Sequence, residues 1–382
     1  MNHQRYNDYY LVNDEDMGED TDSIEFMPRQ KCCTLKKCLI ISAISFVSLA
    51  VLAFIVVFVI FPLVFQNSLS LQQDLVFTRW GLETNSTVFQ ILRFPEYKNY
   101  YVPVKDLATN ETLKLGLWHI LPFDLAKAAI YNDTYDYEDA LKNSNYSVLL
   151  YFHGTGEDRS DNLRKYQFFR TFFHVIVFDY RGYGDSQAGT MLEKNIVNDC
   201  RQIYQWLQEK TSALLFVWGH SLGTSLAVST LSQLGQEANT TGLILEAAFT
   251  SFAEELYHHP YVKYFRWLPW FKQTIVNPLR KNGFLFETSK HILNVTCPIL
   301  FLHAIDDAVV PYFMSKQLYN ISMQRNVDEE VKNNTQLVLF DKRLNLRHYF
   351  IYQDSYTIFY FYNFMRHFTG FPVSTNESSH QS

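Results

Sequence analysis

Cysteine is scarce in this sequence: there are five among 382 residues, and only Cys200 and Cys297 lie beyond residue 38. Two thiols cannot staple a disulfide scaffold, so whatever folds beyond that point must be held by its core. An excess of basic residues is also missing. The 33 Lys and Arg are outnumbered by 39 Asp and Glu, for a formal charge of -6, which gives no electrostatic footprint for nucleic acid. No His or Cys cluster has the spacing of a zinc site, since His258 and His259 lack partners in the sequence, and neither a P-loop nor a dinucleotide fingerprint occurs. No cofactor is expected. The glycine-rich "DYRGYGDS" (Asp179–Ser186) does not open a helix as a phosphate cradle would, so a structural role is expected of it. Internal repeats are absent. Aromatic residues, by contrast, are plentiful: they make up 16% of the chain, with 32 Phe and 25 Tyr. That is enough for one large domain with a sizeable core, plus an appendage.

Charge vanishes altogether from Cys38 to Phe65, "CLIISAISFVSLAVLAFIVVFVIFPLVF". At about 1.5 Å per residue this run exceeds the ~30 Å hydrocarbon core of a bilayer, so a tilted span or an end protruding after Pro62 is expected. A secretory signal has an apolar region of only roughly 7–15 residues and starts nearer the N-terminus. Arg29, Lys31, Lys36 and Lys37 precede the run, and Gln66–Gln73 carries no basic residue. By the positive-inside rule, residues 1–37 form a cytosolic tail, acidic with a basic membrane-proximal end. Residues 38–65 are then a signal anchor, 66–370 a lumenal domain and 371–382 a polar tail. Glycosylation sequons agree: Asn85, Asn110, Asn132, Asn145, Asn239, Asn294, Asn320, Asn333 and Asn376 all follow the run and none precedes it. Cys32, Cys33 and Cys38 crowd the cytosolic edge, where S-acylation is an option.

From Asp74 to Pro122 polar and apolar residues alternate, as in "LKLGLWHILP", the pattern of antiparallel strands at a sheet edge. A polar connection, Asp124–Asn145, follows. Continuous apolar strands then alternate with helical stretches. "SVLLYFHG", "HVIVFDYRG" and "ALLFVWGHS" read as strands, as do the later "GLILEAAF", "CPILFLHA" and "TQLVLF". Helices are expected over Asn195–Lys210, over "LGTSLAVSTLSQL" and over Tyr349–Phe368. This alternation predicts a mostly parallel sheet with helices on both faces and functional groups at the carboxyl ends of the strands. His153, Ser221 and Asp307 all fall just past strand ends. Across residues 252–296 the pattern breaks into an aromatic-rich insertion, which reads either as a small cap over the site or as an ordinary helical excursion. Its Tyr261, Tyr264, Trp267 and Trp270, mixed with Lys263, Arg266 and Lys272, also suit a membrane interface.

The stretch "FVWGHSLGTSLA" sets Ser221 between two glycines where a strand gives way to a helix. A serine hydroxyl needs a base, and the base needs a carboxylate to hold its tautomer. On this architecture the chain order is Ser, then Asp or Glu, then His. Downstream, "LHAIDDAVVP" offers Asp306 and Asp307, and the D-x-x-V-P form favours Asp307; Glu246 is a weaker rival. Among the later histidines, His380 lies in the polar tail and His367 inside the last helix. His348, in "NLRHYF", falls in the loop before that helix, from which an imidazole reaches the sheet edge. Donors for a tetrahedral oxyanion are expected from the backbone N–H of Leu222 and, in the loop after "YFHG", of Thr155. His153 is expected to orient that loop.

With these pieces in place the sequence resembles the α/β-hydrolase superfamily, and within it the membrane-anchored serine hydrolases that act as lysophosphatidylserine lipases and monoacylglycerol lipases. The resemblance runs from the apolar run to about Gly370. It rests on the ordered set "LGLWHILP", "FDYRGYGDS", "VWGHSLGTSLA", "ILEAAFTS", "PILFLHAIDDAVVP" and "RHYFIY". It implies an α/β-hydrolase fold preceded by one transmembrane helix, with Ser221 matching the nucleophile, Asp307 the triad acid and His348 the base. It also implies a single-pass type II protein of the endoplasmic reticulum membrane with a lumenal site; an extracellular domain at the plasma membrane is the second expectation. Implied substrates are lysophospholipids, notably lysophosphatidylserine, and monoacylglycerols. The "HGTGE" loop departs from the family's usual form and is closer to that of soluble monoacylglycerol lipases. A domain held beside a bilayer under an aromatic cap meets single-chain lipids at high local concentration, and burying their chains contributes ~0.8 kcal/mol per methylene. Two other readings stay open: a lumenal acyl-protein thioesterase using the same triad, and a non-catalytic hydrolase-fold adhesion or receptor module.

Overall fold

The computed structural model describes residues 35–78, 97–132 and 134–369. The expectations for the N-terminal tail, Cys32, Cys33, the sequons at Asn85 and Asn376 and the polar C-terminal tail lie outside the described residues. The chain divides into two units, Met1–Val56 and Val57–Ser382. In the first, helix α1 (Leu35–Ile55) takes in the start of the uncharged run, and from Leu39 onward its Leu, Ile, Val and Phe side chains are exposed. A π-helical turn, Val56–Ile60, continues it, and the helical stretch Lys36–Asn67 is long and apolar enough to cross a membrane.

The second unit includes α2 (Phe61–Asn67) and α3 (Leu69–Phe77), separated at Ser68, whose hydroxyl accepts the Leu71 N–H and caps α3. Residues 74–77 are therefore helical, where the alternation read from Asp74 onward predicts an edge strand. Helical spacing is what buries Gln72, Val76 and Phe77 together on one side. The Gln72 amide donates to the Phe65 carbonyl and accepts from Asn282.

Eight strands form one sheet: β1 (Tyr97–Lys105), β2 (Thr112–Ile120), β3 (Ser147–Phe152), β4 (Phe173–Phe178), β5 (Leu215–His220), β6 (Thr240–Glu246), β7 (Ile299–Ala304) and β8 (Gln336–Phe340). Their order is β1-β2-β4-β3-β5-β6-β7-β8, antiparallel across the first three and parallel from β4 onward. The central strands are apolar throughout because both faces are covered. Along β3, Val148, Leu150 and Phe152 enter one core while Leu149 and Tyr151 enter the other. Helices α5 (Glu193–Lys210) and α6 (Leu222–Leu234) bury their apolar sides in the first core. On the opposite face are α4 (Leu163–Phe169) and α8 (Ser355–Thr369). This is the α/β-hydrolase fold.

Three segments refine the sequence expectations. The connection after β2 holds two short helices, Phe123–Ile130 and Tyr137–Asn143, the second capped by the Asp136 carboxylate accepting from Glu138 and Asp139. The last helix starts at Ser355, since a 3-10 turn over Ile351–Gln353 keeps Tyr349 and Phe350 in the preceding loop. The 252–296 insertion is a chain of short helical pieces that includes α7 (Phe252–His258). Its Phe271, Ile275, Leu279 and Phe286 join the same core as α6, while Tyr261 and Trp267 stand 79% and 72% exposed. Phe58 packs against Phe265 and Trp270 of this insertion, with ring centroids 6.2 and 6.5 Å apart. All seven sequon asparagines among the described residues are exposed.

Helix α6 comes unusually close to the sheet. A Cβ on Gly223 would stand 2.1 Å from the Phe152 carbonyl oxygen, and one on Gly219 would stand 2.5 Å from the Gly223 carbonyl oxygen. Gly223→Ala is therefore expected to lower stability by about 1–3 kcal/mol, since a buried backbone contact must open. Denaturant titration of the full chain in detergent checks this; an unchanged midpoint contradicts the close approach.

Candidate active site

The turn from β5 into α6 lifts Ser221 out of the sheet with φ 52° and ψ -117°, a left-handed conformation that a side-chain-bearing residue rarely adopts. Its N–H donates to the Glu246 carbonyl at 3.0 Å, which ties the turn to the end of β6. The Glu246 side chain is occupied elsewhere. It is buried between Lys165, at 3.1 Å, and the Trp218 indole N–H, at 2.9 Å.

Past the end of β7, the Asp307 carboxylate accepts the Val309 and Val310 N–H groups at 2.8 and 2.9 Å through Oδ1. Its Oδ2 accepts from His348 Nδ1 at 2.7 Å and faces His303 Nε2 at 3.3 Å. Burial alone would raise this carboxyl, but His303 and His348 outweigh it and hold Asp307 well below the usual carboxylate range. Asp306 points elsewhere, accepting the Arg347 N–H at 3.1 Å.

His348 is buried, and desolvation lowers its pKa from the ordinary histidine value even though Asp307 acts to raise it. Its Nδ1–H is committed to Asp307, which leaves Nε2 as the basic nitrogen. The residue before Ser221 holds this loop in place: His220 Nε2–H donates to the His348 carbonyl at 2.9 Å, and the two rings lie 4.9 Å apart. His348 and Asp307 are thus bonded to each other, and His220 ties the His348 loop to the turn that carries Ser221.

The loop after β3 closes the other side. The Gly154 N–H is taken by the Glu157 carboxylate at 3.0 Å. Among the described residues the N–H groups of Thr155 and Leu222 have no acceptor, Thr155 lying in the turn that follows and Leu222 opening α6. His153 is buried, stacks on Tyr180 with centroids 4.1 Å apart, bonds the Gly154 carbonyl through Nδ1 and accepts the Tyr180 hydroxyl at its own carbonyl. Arg159 anchors the loop through ion pairs with Asp179 and Asp185.

Several contributors were not singled out by the sequence. Glu157 Oε1 lies 3.7 Å from His220 Nδ1, so one carboxylate touches both the β3 loop and the histidine that supports His348. Charge on His220 and the Gly154 N–H overcome burial and keep Glu157 well below its usual range. His303 lies between the Ser315 hydroxyl, the Val310 carbonyl and Asp307. Glu255, buried on α7, is pushed up to about 8 by desolvation and the charge of Asp307. Only the "HGTGE" departure hinted at any of these, because the others act through contacts far apart in sequence. No metal-binding group occurs among the described residues.

Comparison with known proteins identifies relatives of this chain. The family model of the S33 serine aminopeptidases (Hydrolase_4) matches residues 144–291, a span that contains Ser221 but stops before Asp307 and His348. Over 261 residues the chain is 34% identical to the lysophosphatidylserine lipase ABHD12 of Mus musculus, covering 67% of this chain and 63% of that protein. The match therefore spans somewhat less than two thirds of the mouse relative's length. Against the lysophosphatidylserine lipase ABHD12 of Danio rerio it is 31% identical over 310 residues, 78% of each chain. Among solved structures, an esterase of Pyrococcus furiosus aligns with a TM-score of 0.49 at 16% identity, covering 71% of this chain and 91% of that one. Fold and site define an α/β-hydrolase of the serine-hydrolase class. Within that class, the chain belongs to the ABHD12 lysophosphatidylserine lipase family.

The adjacent aspartates supply a direct check. Asp307→Asn removes the acceptor of the His348 Nδ1–H, whereas Asp306→Asn touches only the Arg347 N–H. Labelling by a fluorophosphonate probe is expected to fall by on the order of 10³–10⁴ in Asp307→Asn and to change little in Asp306→Asn. The reverse ranking in equally folded proteins would reassign the acid.

Proposed function

We propose that the protein is a membrane-anchored serine hydrolase that cleaves the acyl ester of single-chain lipids, lysophospholipids such as lysophosphatidylserine foremost and monoacylglycerols as well. One observation carries the reading: the 2.7 Å bond from His348 Nδ1 to Asp307, in a loop held beside the Ser221 turn by His220. The printed names of the relatives, lysophosphatidylserine lipases, support the choice of ester.

In this mechanism Ser221 Oγ attacks the ester carbonyl while His348 Nε2 takes its proton, and Asp307 supports the imidazolium. The N–H groups of Leu222 and Thr155 receive the oxyanion. His348 then protonates the departing glycerol oxygen, leaving an acyl-Ser221 ester. A water molecule, deprotonated by the same nitrogen, releases the fatty acid and restores the serine.

Because burial lowers the His348 pKa, the base stays neutral into mildly acidic solution, and activity is lost only as pH falls through that lowered value. The acid limb of kcat/KM on lysophosphatidylserine is expected to have its midpoint below pH 6.5, the ordinary histidine value. Ser221→Ala should abolish turnover of lysolipids, monoacylglycerols and acylated peptides alike. A wild-type enzyme that turns over only the acylated peptides would replace the lipid reading with a thioesterase.

The proposal extends to topology. The apolar stretch Lys36–Asn67 acts as a type II anchor of the endoplasmic reticulum membrane, the domain is lumenal and glycosylated, and the exposed Tyr261 and Trp267 meet the membrane interface. The exposure of every described sequon asparagine supports glycosylation, since a buried one would be out of reach. Protease added to sealed microsomes should spare the domain, and deglycosylation should lower its apparent mass. Digestion of the domain in intact vesicles would invert the orientation.

A further inference from the structure

A cavity of about 490 Å³ opens beside the catalytic histidine, between two segments that the triad does not use. Glu157, Asp161 and Arg164, from the loop after β3 and the start of α4, form one wall; Tyr349, Phe350 and Tyr352, following His348, form the other. It adjoins the site through Tyr349 and Glu157. The Tyr349 ring is 4.8 Å from the His348 ring and 5.5 Å from that of His220, while Glu157 bonds the Gly154 N–H and faces His220.

Reaction geometry says what such a cavity should hold. The nitrogen that accepts the serine proton must next deliver it to the leaving oxygen, so the leaving group lies against the imidazole. In a single-chain phospholipid that group is the glycerol with its phosphodiester; the acyl chain stays on the serine and must run elsewhere. The cavity suits the first and not the second, since one wall carries charged side chains.

The partners of those charges narrow the choice. Lys165, also at the cavity, is bound to Glu246, and the Glu157 carboxylate holds the Gly154 N–H and the Asn162 amide. Arg164 is exposed, and among the described residues no acceptor bonds its guanidinium. Asp161 uses one oxygen to accept the Asp158 N–H. A guanidinium matches a phosphate oxygen pair in geometry as well as charge, and a nearby carboxylate matches an ammonium.

We propose that this cavity is the leaving-group subsite, taking the anionic glycerophosphodiester of an amine-bearing lysophospholipid with Arg164 on the phosphate and Asp161 toward the ammonium. The assignment rests on the ester-hydrolase reading above and deepens it. Arg164 is thereby a specificity-determining residue, absent from the catalytic steps themselves.

The test uses the full chain in detergent, as wild type, Arg164→Gln and Arg164→Lys, on lysophosphatidylserine and a monoacylglycerol of the same acyl chain. The ratio of kcat/KM between the two is expected to fall by about five-fold or more in Arg164→Gln, through KM, with partial recovery in Arg164→Lys. A ratio unchanged from wild type, or equal losses on both substrates, overturns the proposal. A second measurement separates it from the function itself: glycerophosphoserine should inhibit hydrolysis of p-nitrophenyl butyrate, with an inhibition constant that rises in Arg164→Gln. If wild type ignores lysophosphatidylserine but glycerophosphoserine still inhibits through Arg164, the subsite stands and the substrate reading falls. Absence of inhibition overturns the subsite.

Discussion

The backbone at Ser221 is the constraint to which the rest of the domain answers. Holding a serine at φ 52° costs on the order of 1–3 kcal/mol and persists only where the surroundings over-determine it. Here they do so on three sides. The Ser221 N–H is fixed by the Glu246 carbonyl, Gly219 and Gly223 let α6 press against its own turn and against β3, and the Glu246 side chain is locked by Lys165 and Trp218. A serine flanked by glycines at a strand end is thus a packing solution before it is a chemical one. The close contact of α6 and β3 sets where the hydroxyl emerges.

Around that turn, two loops with no contact in sequence are brought into register by buried polar groups. His220 reaches the His348 loop through its Nε2–H and faces Glu157 through Nδ1, and Glu157 holds the Gly154 N–H. The residue next to the serine therefore joins the histidine loop to the loop that carries Thr155. The bonds to the His348 carbonyl and the Gly154 N–H are 2.9 and 3.0 Å, and the Glu157–His220 contact is looser at 3.7 Å; all are desolvated, so a displacement of one loop is felt by the other. Arg159 extends the same scheme outward by fixing the β3 loop to Asp179 of the β4 end and to Asp185.

Much of this was legible in the sequence for a simple reason. Central strands buried on both faces must be apolar throughout, so β3 to β7 announce themselves, and the helix over "LGTSLAVSTLSQL" coincides with α6. Where local pattern and tertiary burial disagree, the pattern misleads. Residues 74–77 read as the start of an edge strand but belong to α3, which coils to bury Gln72, Val76 and Phe77 on one side. Tyr349 and Phe350 look helical but stay in the loop beside His348. At the site, Ser221 and His348 carry positional signals, and the neighbouring aspartates were separable only by loop form; their different partners, His348 and the Arg347 N–H, exist only in three dimensions. His220 and His303 carried no signal, and Glu157 only the hint of the "HGTGE" departure, because their contacts span loops that nothing local connects.

The end of the apolar run has a consequence for how such a chain must be made. Phe65 is only 2% exposed and sits in the same core as Phe77 and Leu226, and the Gln72 amide caps its carbonyl. The domain therefore begins before the hydrophobic segment is over. During synthesis its core can close only once that last turn of the apolar run is free to pack, so the run and the domain cannot be treated as separate pieces. Cutting the chain after Phe65 to release a soluble form would not simply remove a tether. It would leave a phenylalanine-sized hole in the core, of a kind that commonly costs about 3–5 kcal/mol.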